Sequence, residues 1–406
     1  MNLKKLVCIL AAIAMLIGGS TYVAATEENV TTVLAFSDFQ HPDGNEAGAE
    51  QATAVLQKMV SLGFTTADGF ICGGDYDYET TESFQGIETI KSFLAPYVTG
   101  EMVFTQGNHD KAAAEGLSPS GNCDPASGAY GVFNINEDDY AVTGGYESTV
   151  EETAKNLTAY LNEKLAEGFD KPIFVSSHIP LHYNMRTFND GDAIHAKHIF
   201  NVLNEAAGKG LNIIYLFGHN HSNGWDDYLG GSSVFLTKGD PILICHTTQE
   251  TFRKQTLNFT YMNSGYMGYY GKVTNGSDTT LTMTTFDITD TEVTITRYDK
   301  DGIHALKSVG VKNTVKEDFY KPNETVYESP FTLTLTKVTD KTPIGAEAPV
   351  ETQPTEPTQG TTAPSTTGNE NGSGGQNSNV ILIVGIAVVG VLAAVIVILV
   401  QKKKRQ

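Results

Sequence analysis

The sequence predicts an α/β protein, and three observations carry that reading. Five apolar runs of strand length stand at Thr32–Ser37, Gly69–Gly73, Met102–Gln106, Ile173–Ser177 and Leu211–Phe217. Amphipathic stretches of helical period lie between them. From Ser232 to Val309 the pattern changes to short β-rich runs punctuated by turn signals. Strands alternating with helical patterns argue a largely parallel sheet. Such sheets gather ligands at the carboxyl ends of their strands.

Taken in order, residues 1–25 read as a secretory leader: Lys4 and Lys5, an apolar run from Leu6 to Ile17, and Val23-Ala24-Ala25 as a small-residue cleavage site. The first strand run ends in Asp38-Phe39-Gln40. Glu46–Leu62 then places Ala52, Val55, Leu56, Met59 and Val60 on one helical stripe. The second run ends in Gly74-Asp75. Ser83–Tyr97 reads as a helix with Phe84, Ile87, Ile90, Phe93 and Leu94 inward and Pro96 near its end. The third run ends in Gly107-Asn108-His109-Asp110.

Lys111–Gly145 is rich in Gly and Asp and weakly periodic, so it is expected to be an insertion beside the site rather than a domain. Val150, Ala154, Leu157, Leu161 and Leu165 repeat at helical spacing over Val150–Phe169. The fourth run ends at His178. Asp192–Gly208 is the next helix, with Ile199, Val202, Leu203 and Ala206 inward and Gly208 as its stop. The fifth run ends in Gly218-His219-Asn220-His221. Beyond it, Lys238-Gly239-Asp240-Pro241, Asn275-Gly276 and Lys300-Asp301-Gly302 mark turns between antiparallel strands expected to complete or cover the core, and Thr325–Val338 adds one more.

The body of the fold is therefore expected over residues 26–340. Residues 341–379 are Pro, Thr, Gly, Ser and Glu with almost no large apolar side chain, a composition that forms no packed core. As a coil this stalk would span roughly 35 Å. Residues 380–400 are apolar or glycine without a charge, long enough to cross a bilayer as a helix. The basic tail at 401–406, Lys402-Lys403-Lys404-Arg405 within it, places that end on the cytoplasmic side. Together with the leader this predicts a single-pass protein of the cell membrane with its body outside. A wall-sorting signal would need a Leu-Pro-x-Thr-Gly-like motif upstream, and Asn369–Asn379 contains none.

The net charge of −20 includes the basic residues of both ends, so the body between them is more acidic still. Such a body repels polyanions and excludes long nucleic acid as a partner. Small phosphate esters stay compatible where metal ions neutralise a pocket locally. No segment signals an obligate protein partner. The body holds Cys72, Cys123 and Cys245, too few for a disulfide-built scaffold. Cys72 reads as a buried small hydrophobe, and Cys123 with Cys245 is left open as a pair.

The five strand ends carry the chemistry. In an extended stretch residues i and i+2 share a face, so Asp38 with Gln40, and His219 with His221, can each reach one ion. Asp75 offers a carboxylate that can bridge two cations, Asn108 an amide oxygen and His178 an imidazole. The mixed oxygen and nitrogen donors suit Mn, Fe or Zn and are poor for Ca. Singly, Asp-x-Gln is a common chance pair, Gly-Asp is usually a turn, and a lone histidine after a strand is usually a satisfied core or surface residue. All five in this order at strand ends are a strong joint signal.

In this order the motifs resemble the calcineurin-like metallophosphoesterase superfamily, whose pattern runs Asp-x-His, Gly-Asp, Gly-Asn-His-Asp/Glu, His, Gly-His-x-His. The resemblance covers about Val30 to Val309. It implies a four-layer α/β/β/α sandwich with two divalent transition-metal ions at the strand ends. It implies Asp38, Gln40, Asp75 and His221 on one ion, and Asp75, Asn108, His178 and His219 on the other. It implies His109 as proton donor or transition-state contact, oriented by Asp110. One residue departs from the pattern: Gln40 stands where the superfamily has histidine. Its amide oxygen is a weaker, neutral ligand, and His41 beside it is the alternative, although its side chain would point to the opposite face of an extended stretch.

Two-metal chemistry implies a hydroxide of lowered pKa shared by the cations and attacking phosphorus in line, with the phosphoryl oxygens clamped. The expected function is thus hydrolysis of small phosphate mono- or diesters. The alternative is a surface binding or adhesion module on the same scaffold, and a protein phosphatase would need a broad open groove. Outside the ligand set, His182, Arg186 and Trp225 are candidates for substrate contact, each with an equally plain role as a loop histidine, a solvated arginine and a packing tryptophan. Asp77 could orient a ligand or close a turn.

Overall fold

The computed structural model describes residues 29–40, 46–77, 85–110, 115–140, 147–182, 196–219, 235–245, 252–268, 281–308 and 325–345. The chain divides into two compact units, residues 1–347 and 348–406. The leader at 1–25, most of the stalk at 341–379, the expected span at 380–400 and the tail at 401–406 lie outside the described residues. Among the described residues no helix is long and apolar enough to cross a membrane.

In chain order the first half runs β1 (Thr31–Phe36), α1 (Glu46–Ser61), β2 (Ala67–Cys72), α2 (Gly86–Leu94), β3 (Val98–Phe104), β4 (Gly121–Asn122), β5 (Gly131–Ile135) and α3 (Glu137–Tyr140). There follow α4 (Glu147–Glu167), β6 (Pro172–Ser177), α5 (Ala196–Gly208), β7 (Asn212–Phe217), β8 (Phe235–Leu236), β9 (Pro241–Cys245), β10 (Phe252–Thr256) and β11 (Thr260–Asn263). The last are β12 (Met283–Ile288), β13 (Glu292–Tyr298), β14 (Ile303–His304), β15 (Leu306–Ser308), β16 (Thr325–Tyr327) and β17 (Phe331–Thr334).

The first sheet has the order β14-β13-β12-β1-β2-β3, with β17 also on β13; the second runs β4-β5-β6-β7-β11-β8. Strand alternation sorts the apolar side chains into layers. Val33, Ala35, Ile71 and Val103 of the first sheet meet Val132, Phe174, Ile214 and Leu216 of the second in one inter-sheet core. Leu34, Phe36, Phe70 and Phe104 point the other way, onto Val55, Leu56 and Met59 of α1 and Ile87 and Ile90 of α2. Ile173, Val175, Ile213 and Tyr215 likewise meet Leu157 and Leu161 of α4 and Ile199 and Leu203 of α5. Helix, sheet, sheet, helix is the four-layer architecture expected. Because both faces of the central strands are covered, these strands read as continuous apolar runs rather than alternating ones. Truncating an inward side chain such as Leu157 to alanine would cost about 2–5 kcal/mol.

Three details differ from expectation. The stretch Lys111–Gly145 is more than an insertion: β5 lies within it, fully buried and parallel to β6. Its polar Asn134 and flanking glycines hid it, because that amide is spent inside the core on Thr105. The third strand begins at Val98, earlier than Met102, since its exposed Thr99-Gly100-Glu101 lack an apolar signature. Finally, β11 joins β7 in parallel rather than antiparallel. The meander β12–β13–β14 is antiparallel as expected and attaches to β1. Cys72 is buried, and both it and Cys123 are free thiols.

Candidate metal centre

The strand ends of both sheets meet above the inter-sheet core. Asp38 follows β1, Asp75 follows β2, Asn108 follows β3, His178 follows β6 and His219 follows β7. Among the described residues, the non-glycine positions with left-handed backbone are Asp38, Gln40, Asp75 and His219, at φ 53°, 20°, 54° and 66°. Such conformations cost about 1–3 kcal/mol each, and their concentration here marks the site. Local hydrogen bonds hold the turns. Asp38 N–H donates to the Gly74 carbonyl at 2.9 Å and Gln40 N–H to the Asp75 carbonyl at 3.2 Å. Asp110 accepts from the N–H groups of Asp75 at 2.8 Å, Asp77 at 3.0 Å and Gly107 at 2.7 Å, so its carboxylate braces two ligand loops.

The glycines of these motifs are steric requirements. A Cβ on Gly107 would stand 2.2 Å from Asp75 Oδ1, and one on Gly74, itself at φ 92°, would stand 2.6 Å from His178 Nδ1.

Asp38, Gln40, Asp75, His178 and His219 are buried at their strand ends, whereas Asn108 is exposed and His109 half-buried. Donor atoms of Asp38, Asp75 and His178 lie within 4.8 Å of one another. His178 Nδ1 lies 2.8 Å from the Gly73 carbonyl, which fixes the ring and turns Nε2 toward the cluster. That Nε2 stands 3.1 Å from Asn108 Oδ1, 3.3 Å from His219 Nδ1 and 3.2 Å from Asp75 Oδ2. Asn108 Oδ1 and His219 Nδ1 are 2.9 Å apart. Ligands about 2.0–2.1 Å from a common ion would be spaced by about 3.3 Å, so Asn108, His178 and His219 fit a divalent transition metal in donor type and spacing, with Asp75 adjoining them at His178. On the other side of Asp75, Gln40 Nε2 donates to Asp75 Oδ2 at 2.7 Å. Gln40 Oε1 is buried without a hydrogen-bond partner, an acceptor that a cation would satisfy.

Charge explains the protonation pattern. Burial alone would raise the Asp75 carboxyl, but His178 and His109 beside it outweigh burial and hold it well below the usual carboxylate range. Burial would lower His178, yet the Asp75 and Asp38 carboxylates and the Gly73 carbonyl lift it to about 10. A cation binding here competes with that proton, so affinity weakens as pH falls.

His109 donates its backbone N–H to Asp75 Oδ1 at 3.0 Å, and its ring Nε2 lies 4.0 Å from Asp75 Oδ2. Its side chain is 16% exposed, so the ring is partly accessible to solvent. Asp77 accepts from Gly86 N–H at 2.9 Å, closing the turn into α2. His182 is buried, its Nδ1 2.8 Å from the Tyr261 hydroxyl and its ring edge-on to Phe217 and Tyr261. Burial pushes it down to about 3. Burial thus favours its neutral form. His221, His41, Arg186 and Trp225 lie outside the described residues.

Two contributors were not foreseen. Ser37 hydroxyl lies 2.6 Å from Asp38 Oδ2 and 2.7 Å from the Gly265 carbonyl; only its place beside Asp38 could have flagged it. Glu137, at the start of α3, feels the charges of His178 and Asp75, and burial raises its carboxyl. Nothing in its local sequence marks it, because the tertiary fold brings β5 beside β6.

No protein-family model matches the chain, and no curated protein matches it. Among solved structures it is similar to a dimetal phosphatase from Danio rerio, at 12% identity over 69% of this chain and 99% of that one, with a TM-score of 0.44. It is similar to a purple acid phosphatase from yellow lupin (Lupinus luteus) seeds, at 13% identity over 68% of this chain and 52% of that one, with a TM-score of 0.41. It is also similar to PhoD, at 12% identity over 70% of this chain and 73% of that one, with a TM-score of 0.41. In the order of its motifs, in its two facing sheets and in the meeting of its donors at their ends, the chain resembles the calcineurin-like metallophosphoesterases.

Proposed function

We propose that this protein is a metal-dependent phosphoric ester hydrolase acting on small phosphate mono- or diesters, tethered to the cell membrane with its body outside. The observation that carries the hydrolase reading is the cluster of Asn108, His178 and His219, whose donor atoms stand 2.9–3.3 Å apart, with Asp75 3.2 Å from His178 and Asp38 beside them. The tether rests on the charge pattern of residues 1–25 and 380–406.

Asp75, Asn108, His178 and His219 would hold one divalent ion, and Asp38, Gln40 and Asp75, with His221, a second; Mn, Fe or Zn suits these donors. Bound there, such ions supply Lewis-acid charge to the phosphoryl oxygens and acidify a water. The chain's own groups do the rest. Asp75, anchored by His109 N–H and Gln40 Nε2, faces both sets. Asp38 is pinned by the Ser37 hydroxyl and by His219 N–H at 3.1 Å. The His109 ring, half-buried at the rim, is placed to hand a proton to the leaving oxygen and to stabilise charge on the phosphoryl group. Burial of Asp38, Gln40, Asp75, His178 and His219 keeps bulk water from screening these charges.

The test is metal analysis of the full chain in detergent, followed by a panel of phosphomonoesters and diesters with Mn, Fe and Zn supplied. Bound metal with turnover of at least one small ester is expected. Bound metal with no turnover anywhere in the panel would replace the hydrolase by a binding module.

A further inference from the structure

Arg297 is the largest side chain that the core buries completely, 1% exposed. It sits on β13 in the row of Val293 and Ile295, facing the gap between the sheets. Its guanidinium ends on neutral acceptors: Nε donates to Thr284 Oγ1 at 3.3 Å, and Nη2 donates to the Asn263 carbonyl. Burying a cation costs several kcal/mol, and an apolar side chain of similar volume would fill the space without that cost. Packing alone does not account for an arginine here. Its contacts do.

Asn263 is the last residue of β11, opposite Phe217 of β7, the residue that leads into Gly218 and His219. There the chain crosses from the second sheet to the first. Ser264 N–H donates to the Phe217 carbonyl at 2.9 Å, and Gly265 N–H to Asn263 Oδ1 at 2.9 Å. Tyr266 then pairs with Ser37 on one side and Thr282 on the other. The Gly265 carbonyl accepts from Ser37 N–H at 3.1 Å and lies 2.7 Å from the Ser37 hydroxyl, whose single proton it shares with Asp38. That same hydroxyl stands 2.6 Å from Asp38 Oδ2. Register puts Arg297 beside Thr284 and Thr284 beside Ala35, two residues before Ser37. By register the Arg297 backbone stands level with Ala35, three residues before Asp38, and its guanidinium reaches the last residue of β11.

We infer that Arg297 is a positioning residue for the metal centre, holding Asn263 so that the crossing segment, through Gly265 and Ser37, sets the Asp38 carboxylate against the ligands of the second sheet. This rests on the metal-centre reading above. It gives the buried charge a role as a rigid, multiply donating anchor where chain joins the two donor-bearing sheets.

The experiment is Mn2+ binding to the chelator-treated full chain, followed by loss of the free-ion EPR signal, for wild type, Arg297→Met, Arg297→Lys, Ser37→Ala and the Met/Ala double variant. Arg297→Met is expected to weaken Mn2+ binding about 10- to 100-fold, with thermal unfolding in chelator unchanged or raised. Arg297→Lys keeps the charge but not the fork and should recover part of the loss. Ser37→Ala should weaken binding on its own, and the double variant should bind no worse than the weaker single one, because both act through one chain of contacts. Wild-type affinity in Arg297→Met overturns the inference, as does full additivity in the double variant. Should Arg297→Met not fold, wild-type affinity in Arg297→Lys overturns it equally, as does a loss in Arg297→Lys that is fully additive with that of Ser37→Ala. A wild type that binds no Mn2+, Fe2+ or Zn2+ overturns the metal centre itself, an outcome distinct from a wild type that binds while Arg297→Met binds equally well.

Discussion

The two sheets furnish the site unequally. The first sheet brings oxygen donors, Asp38, Gln40, Asp75 and Asn108; the second brings imidazoles, His178 and His219. The oxygen side bends its backbone into left-handed conformations at Asp38, Gln40 and Asp75 and ties its carboxylates to N–H groups and a hydroxyl. On the imidazole side His219 shares that left-handed backbone, whereas His178 keeps ordinary backbone and is aimed by a single carbonyl of the opposite sheet, Gly73. The contrast follows from chemistry. A buried carboxylate needs several donors before it is tolerated at all, whereas a neutral imidazole needs only its second nitrogen fixed to become a directed ligand. Each sheet alone presents half a ligand set, so the site exists only through their packing.

Removing the residue that faces both halves should break the contrast most severely. Asp75→Ala strips His178 of its carboxylate partner, a loss of about 3–5 kcal/mol for a broken buried pair. Metal content by mass spectrometry and ester turnover should both fall about 1000-fold, and retention of metal would separate the halves. Next in size, His109→Ala should lower turnover about 100-fold or more while leaving metal content nearly unchanged; a parallel loss of metal would make His109 a structural residue of the oxygen side. Smaller still, Gln40→His gives the oxygen side an imidazole of its own. Metal affinity by calorimetry should rise about tenfold if Gln40 is a ligand, and no change would mean that its hydrogen bond to Asp75 is its whole contribution.

The smallest effect concerns His182, the buried imidazole beyond the end of β6. Burial holds His182 near 3, below its ordinary value near 6.5. A depressed folded value means that the unfolded chain binds the extra proton first. Its share of stability is complete above about pH 6.5 and is lost as pH falls toward 3, by about 1 kcal/mol per pH unit. Urea unfolding between pH 4 and 7 should show this slope flattened in His182→Gln, with KM unaltered; a changed KM would return His182 to the substrate.

Much of this was legible in the chain itself. The order of the donors and their places after apolar runs followed from local pattern, because a strand buried on both faces is apolar throughout and its end is marked by the glycine that lets a ligand loop approach. The helices α1, α4 and α5 followed from their stripes. Less was legible where polarity is spent internally. Asn134 within β5 and Arg297 within β13 look like surface residues in sequence and are buried because Thr105 and the Asn263 carbonyl receive them. His182 and His178 are both single histidines near the end of one strand, and no local signal tells a ligand from a core residue.

The sequence by itself determined which residue types can hold a metal and after which strands they fall, since both depend on neighbours within a few positions. Only the tertiary structure decided that Asp75 lies 3.2 Å from His178, that Asp110 accepts from Asp75 N–H, that Ser37 meets the Gly265 carbonyl and that Arg297 meets that of Asn263. Those relations join residues tens to hundreds of positions apart, and their distances are set by how two sheets pack on a shared apolar core, a property no local pattern encodes.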